Sequence, residues 1–154
     1  MIEQIKNVLK KSKTIAMIGV GSLKKKEDPK NLKRKPSTIV MKYMQDFGYK
    51  VIPVNPFAVG ELIHGETVVA GLKDINIPID IVDVFRPSKE TPNIAEQAAN
   101  IRAKTLWLQY GIQHEDAKKI ATRANMNYFE NLCIKQEYQR IFLKISPVFP
   151  VLKS

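Results

Sequence analysis

Five short apolar runs alternate with longer amphipathic segments, and this alternation constrains the fold more than any other feature of the chain. Apolar residues at consecutive positions are typical of parallel strands buried on both faces, and amphipathic segments between them are typical of covering helices. The predicted strands are residues 14–18, 50–54, 79–84, 105–109 and 126–129. With right-handed crossovers, these elements predict an α/β fold, a five-stranded, doubly wound parallel sheet flanked by helices.

Helix signals fall between the predicted strands. Pro36 suits a first helical turn and Gly48 a helix end. Thr91 followed by Pro92 predicts an N-cap and a first-turn proline, and the acidic pair that begins at Glu115 suits the positive end of a helix dipole. Two further helices are predicted, one over the apolar stripe of residues 2–9 and one near residues 134–142.

The length of 154 residues indicates one domain, residues 1–154, with a core over about 13–142 and an extended tail over 143–154. The single cysteine cannot form an internal disulfide, which excludes the secreted, disulfide-framed class. No apolar run approaches the roughly 18 residues that a membrane span needs, and the amino terminus lacks a signal-peptide core. We therefore expect a cytoplasmic protein that does not associate with membranes.

The charge is strongly basic: 25 Lys and Arg against 15 Asp and Glu give a net charge of +10. Residues 24–35 hold seven basic and two acidic side chains, a net of +5, which is half of the excess. Such a segment is usually a solvated loop, but it also favours an anionic partner. The charge alone does not choose among nucleic acid, a membrane surface and a phosphorylated small molecule.

Ligands of doubly wound sheets bind beyond the carboxyl ends of the strands, and four of the five predicted strand ends carry candidate site residues. Gly19, Val20, Gly21 and Ser22 follow the first strand. Two glycines let the backbone approach a phosphate and point amide groups at it. The third glycine of the dinucleotide fingerprint is missing, and there is no Gly-Lys-Ser/Thr ending of a Walker loop.

Asn55 and Pro56 follow the second predicted strand. A nicotinamide-binding domain usually carries an Asp or Glu here to hold the ribose diol. The uncharged amide of Asn55 therefore argues against an NAD site and is compatible with a phosphorylated ribose. Asn-Pro is also a common way to begin a turn.

The third and fourth predicted strands lead into Phe85-Arg86-Pro87 and into Gln109 and Gly111. The planar, charged guanidinium of Arg86 suits a phosphate, but it could instead pair with a carboxylate of a neighbouring loop. Gln109 can hydrogen-bond a base or an amide, and Gly111 permits close approach. The alternative for the segment that contains Gln109 and Gly111 is a turn whose aromatic side chains are packed.

Seven separate motifs occur together in a recognisable order and spacing. They are TIAMIGVGS (14–22), KPSTIVMKYMQDFGYKVIPVNP (35–56), HG (64–65), LKDI (72–75), DIVDVFRP (80–87), AKTLWLQYGI (103–112), and Cys133 with Lys135 and Glu137. In this respect the chain resembles the small, stand-alone coenzyme A-binding proteins, Rossmann-like domains similar to the amino-terminal domain of the succinyl-CoA synthetase alpha subunit. The resemblance covers about 130 residues and implies a single Rossmann-like domain with coenzyme A, or an acyl-CoA, across the strand ends.

The resemblance also implies a set of ligand contacts. Phosphates would lie on the turn after the first strand and on the first turn of the helix that begins near Pro36, and the other junctions would surround the adenosine and pantetheine. The implied binding residues are Gly19, Val20, Gly21, Ser22, Lys35, Ser37, Asn55, Pro56, Phe85, Arg86, Pro87, Gln109 and Gly111.

Catalytic signals are weak. His64 and His114 lie at unrelated positions, where they suit a turn and a surface or helix cap, and Cys133 is more typical of a small buried side chain than of a redox group. We predict no catalytic or metal-binding residue and expect a non-catalytic binding protein. The alternatives are nucleic-acid or other polyanion binding through residues 24–35, which no nucleic-acid motif supports, and an enzyme that acts on a coenzyme A thioester through Cys133 or His64. Apolar residues in the tail would allow a homodimer.

Overall fold

The computed structural model describes residues 1–22 and 36–144, which contain seven strands and five α-helices. The strands are β1 Thr14–Ile18, β2 Lys50–Val54, β3 Leu62–Ile63, β4 Glu66–Thr67, β5 Ile81–Val84, β6 Thr105–Leu108 and β7 Asn127–Phe129. The α-helices are α1 Ile2–Lys11, α2 Pro36–Asp46, α3 Thr91–Asn100, α4 Glu115–Arg123 and α5 Ile134–Tyr138. Five strands form one parallel sheet in the order β2-β1-β5-β6-β7, which confirms the predicted α/β class.

The two faces of the main sheet are covered by separate hydrophobic clusters. Helices α1, α2 and α5 contribute buried residues to one cluster, in which the fully buried Trp107 packs edge-on against Phe129. Helices α3 and α4 contribute to the other cluster, largely through alanines such as Ala98 and Ala121. Because helices cover both faces, the strand ends are where a ligand can reach the sheet.

The boundaries of β1 and β2 match the prediction, whereas the other three strands of the sheet are shorter than predicted. The strand predicted from residue 79 begins at Ile81. Asp80, just before it, joins the start of β1, because its carboxylate accepts from the amides of Lys13 and Thr14 and its amide donates to the Thr14 hydroxyl. Strand β6 ends at Leu108 and β7 begins at Asn127, one residue inside each predicted limit.

The predicted N-cap at Thr91 is wrong, because Thr91 is the first residue of α3. A 3-10 turn over Ser88–Glu90 leads directly into the helix, so the chain enters α3 in a helical conformation rather than the extended one of an ordinary N-cap. The Thr91 hydroxyl instead donates to the Ser88 carbonyl at 2.6 Å. The predicted last helix is present as α5, and it continues as a π-helical turn over Gln139–Leu143.

An antiparallel hairpin of β3 and β4 was not predicted. Its loop is His64-Gly65, with φ of 47° and 82°, as a two-residue type I′ hairpin requires. A bridge between Val54 and Val69 joins the chain after the hairpin to the end of β2. The hairpin therefore lies beside the carboxyl end of the edge strand.

Helices of membrane-spanning length and hydropathy are absent from residues 1–22 and 36–144. The basic segment 24–35 and most of the predicted tail lie outside the described residues.

Candidate ligand site at the carboxyl edge of the sheet

The turn after β1 fits closely against the turn after β5. Gly19 has a φ of +91°, and a Cβ built on it would lie 2.9 Å from the Phe85 carbonyl oxygen and 2.8 Å from Cδ of Arg86. Its amide donates to the Val54 carbonyl at 2.9 Å, and the Phe85 amide donates to the Ile18 carbonyl at 2.8 Å. Only glycine fits here, so the first strand-end turn is fixed against both neighbouring strands.

The rest of this turn is tied to the start of α2. The Gly21 amide donates to Oγ of Ser37 at 3.0 Å, and Ser37 is buried in the first turn of the helix. Val20 is buried, and the hydroxyl of the buried Ser22 donates to the Glu61 carboxylate. The first-turn amides of an α-helix have no intrahelical partner and carry the positive end of its dipole, so the start of α2, beside this turn, is chemically suited to an anion.

Asn55 acts as a brace between the first two strand-end turns. Its Nδ2 donates to the Val20 carbonyl at 2.8 Å, and its Oδ1 accepts from the Phe57 amide at 2.8 Å. Both ends of the amide are therefore engaged within the protein. Pro56 and Phe57 follow it as exposed residues that continue the wall of the site.

Arg86 pairs with Glu90, four residues further along the chain. Nε donates to Oε1 at 3.0 Å and a terminal nitrogen donates to Oε2 at 2.8 Å, a bidentate arrangement. These bonds raise the pKa of Arg86 and lower the pKa of Glu90. Carboxylate pairing, which the sequence left open beside phosphate binding, is thus present in this structure. Pro87 is exposed next to the pair.

A cavity of about 320 Å³ lies between these turns and α3. Four predicted site residues, Gly19, Asn55, Pro56 and Arg86, line it. The remaining lining residues are Ile18, Val54, Phe57, Ala70, Gly71, Glu90, Asn93, Ile94 and Gln97. Of these, Asn93 and Gln97 are four residues apart, a spacing that places two side chains on one helix face, but the spacing does not show that this face borders the cavity.

Gln109 lies on the other side of the sheet edge, in a buried network. Its Nε2 donates to both carboxylate oxygens of Asp83, at 2.9 and 3.2 Å, and its Oε1 accepts from the amide of Ile134 at the start of α5. Complete burial of Asp83 raises the pKa of that carboxyl to about 8, although the Gln109 bond opposes the shift. The Gln109 side chain thus joins β5, β6 and α5 and does not line the cavity.

Gly111 lies in the exposed turn after β6, with a φ of +83°, and its amide donates to Oδ1 of Asn131 at 2.6 Å. It does not line the cavity either. Contacts of Gln109 and Gly111 with a ligand therefore stay predictions, and they require a part of the ligand that extends outside the cavity. Lys35, the other predicted contact, lies outside the described residues.

The titratable side chains that could support catalysis have structural partners. Nε2 of His64 lies 3.0 Å from the Thr38 carbonyl oxygen, in the turn between β3 and β4. His114 caps α4, because its Nδ1 accepts from the Asp116 amide at 3.0 Å. Burial raises the pKa of the Cys133 thiol. Within the two described ranges, no group of three or more His, Cys, Asp or Glu side chains could hold a metal ion.

Comparison with known proteins identifies a family that this chain matches. Residues 13–139 match the family model described as a CoA binding domain. The chain is 39% identical over 132 residues to the protein YneT of Bacillus subtilis (strain 168), covering 86% of this chain and 90% of that protein.

Two solved structures are similar over nearly the whole described fold. One is the Thermus thermophilus protein designated cell-free ID.343, with 33% identity and a TM-score of 0.81, covering 92% of this chain and 99% of that chain. The other is a hypothetical protein from Pyrococcus horikoshii OT3, with 33% identity and a TM-score of 0.78, covering 92% of each chain. The family resemblance seen in the sequence motifs is confirmed.

Proposed function

Because the chain belongs to the CoA-binding domain family, we propose that it binds coenzyme A, or an acyl-CoA, at the carboxyl edge of the sheet without changing it chemically. The observation that carries the proposal is the corner formed by the 19–22 turn and α2, which lies beside the 320 Å³ cavity and shares Gly19 with it. Coenzyme A carries several phosphates and a nucleoside at one end. Its phosphates suit the corner, and its nucleoside suits the partly apolar cavity beside it.

The phosphates lie at the α2 side of the corner in this proposal, because the amides of Gly19 and Gly21 already donate to Val54 and Ser37. A helix N-terminus stabilises an anion by roughly 0.3–1 kcal/mol, and a hydrogen bond to a charged group contributes about 1.5–3 kcal/mol. Micromolar affinity requires about 8 kcal/mol, so two or three phosphate contacts must combine with burial of the nucleoside. Arg86, at the cavity wall, is the cation within the described residues that we place on a phosphate.

The nucleoside occupies the cavity. Ligand pockets usually measure about 300–1,000 Å³, so 320 Å³ accommodates one part of coenzyme A rather than the whole molecule. The pantetheine then extends along the strand ends towards Gln109 and Gly111, which the family resemblance includes among the residues around the adenosine and pantetheine.

The environments of His64 and Cys133 support a binding role without catalysis. His64 is held at the Thr38 carbonyl, and the pKa of Cys133 is raised, which lowers its thiolate fraction. Incubation with acyl-CoA and detection of free thiol checks this part of the proposal. We expect no thiol release beyond the rate without protein, and turnover would contradict it.

Calorimetric titration of the full chain with coenzyme A and with dephospho-coenzyme A tests the proposal. We expect micromolar binding of coenzyme A and weaker binding of the dephospho form, because the 3′-phosphate is lost. Arg86→Gln should weaken binding about tenfold. Lys104→Gln is the matched control, because it removes the same charge from an exposed lysine at the opposite edge of the sheet. No heat with either ligand would refute coenzyme A binding, and equal weakening by both variants would refute a local role for Arg86.

A further inference from the structure

Two amide side chains of α3 form the part of the cavity wall that faces the strand-end turns. Asn93 and Gln97 both line the cavity, and Ile94, buried between them, contributes to its floor. Residues four apart lie one helical turn apart on the same face, so the two amides stand side by side along the wall. This places two donor-acceptor groups over an apolar floor.

Unlike the amide of Asn55, these amides make no hydrogen bond to the residues that the structure describes. Asn55 uses both ends of its amide on Val20 and Phe57. Asn93 and Gln97 are exposed, and neither side chain hydrogen-bonds another residue within 1–22 and 36–144. Their donors and acceptors are therefore available to whatever occupies the cavity.

The rest of the cavity indicates what that occupant is. Phe57, with 75% of its surface exposed, and Pro56 present apolar surface to the cavity, which suits the flat face of a base. The α3 residues that line the cavity are Asn93, Ile94 and Gln97, none of which is a cation, so α3 offers a phosphate no charged partner. An uncharged base with a polar edge fits the wall better than a phosphate does.

We propose that Asn93 and Gln97 read the edge of an adenine base and so determine the base specificity of the site. The inference rests on the proposed function, because it assigns the cavity to the nucleoside of coenzyme A. A side-chain amide donates and accepts at once, which matches the neighbouring N6 donor and N7 acceptor of adenine. Guanine carries two acceptors, O6 and N7, on the corresponding edge and is the disfavoured base.

Titration of the full chain with adenosine 3′,5′-bisphosphate and guanosine 3′,5′-bisphosphate tests the assignment. We expect the wild type to prefer the adenine ligand about tenfold, since one good amide-adenine pair supplies discrimination of this order. Asn93→Leu and Gln97→Leu should each remove most of that preference by weakening the adenine ligand. Glu96→Leu, at an exposed position of α3 that does not line the cavity, is the matched control and should leave it unchanged.

The outcomes separate this inference from the function on which it rests. A wild type that binds neither coenzyme A nor either bisphosphate refutes the proposed function. A wild type that binds coenzyme A but shows no base preference, or variants that keep the preference, overturn the role of Asn93 and Gln97 alone. The near-isosteric Asn93→Asp and Gln97→Glu remove the amide donors and make the same test if a leucine variant fails to fold.

Discussion

Substitution of Gly19 by alanine should destabilise the protein more than the same change at any open glycine. A φ of +91° costs a residue with a Cβ roughly 1–2 kcal/mol. The new Cβ would also lie 2.9 Å from the backbone oxygen of Phe85. That oxygen cannot move away without disturbing the turn after β5, because the Phe85 amide is bonded to the Ile18 carbonyl. Overpacking of this kind costs about 1–3 kcal/mol, so the expected total is about 2–5 kcal/mol.

Gly65→Ala separates the two contributions. Gly65 has a φ of +82°, but a Cβ there meets no atom within 4 Å, so only the conformational cost of about 1–2 kcal/mol applies. Urea unfolding of both variants measures the difference, which we expect to be about 1–3 kcal/mol, with weaker coenzyme A binding by Gly19→Ala alone. Equal losses of stability would refute the close contact between the two strand-end turns.

Three further predictions concern side chains near the site. Because burial raises the pKa of Asp83 to about 8, its contribution to stability is complete below about pH 4 and is lost as the pH rises through about 8. Asp83→Asn should therefore lose less stability between pH 5 and pH 9 than the wild type in urea unfolding, and an equal loss would contradict the shift. Glu90→Gln should tighten coenzyme A binding severalfold in calorimetry, because it frees Arg86 from its ion pair with Glu90. The loss of stability should be small, since exposed ion pairs contribute only about 0–1 kcal/mol. Weaker binding would exclude competition between Glu90 and the ligand for Arg86. The Cys133 thiol should react more slowly with a disulfide reagent at pH 8 in the native protein than in urea, because burial raises its pKa, and equal rates would argue against burial.

The sheet could be predicted because its signal is local. Each strand of the parallel sheet is a short apolar run, and the strands β1 and β2 match the predicted residues at both ends. The hairpin escaped prediction because two-residue strands carry no periodicity, although His64-Gly65 has the glycine that such a turn favours. The Thr91 cap failed because the conformation of Ser88–Glu90, and not the identity of Thr91, determines how the chain enters α3.

The structure brings only some of the predicted site residues together at one cavity, and ligand binding there stays a prediction. Fold logic predicted a site at the strand ends, and Gly19, Asn55 and Arg86 line a cavity there. The inward orientation of Gln109 follows from strand alternation, since it lies two residues after the buried Trp107, but position at a strand end alone does not reveal it. The cavity role of Gln97 depends on how α3 packs against the sheet, which no local pattern in the sequence specifies.

Amide chemical-shift mapping during titration of the full chain with coenzyme A tests the central claim most directly, because it shows both whether the ligand binds and where. The account predicts saturable shifts at Gly19, Gly21 and Phe57, and none at Lys104 and Asn127, which line a separate cavity at the opposite edge of the sheet. An absence of shifts at millimolar coenzyme A would contradict binding. Shifts confined to Lys104, Asn127 and their neighbours would contradict the site.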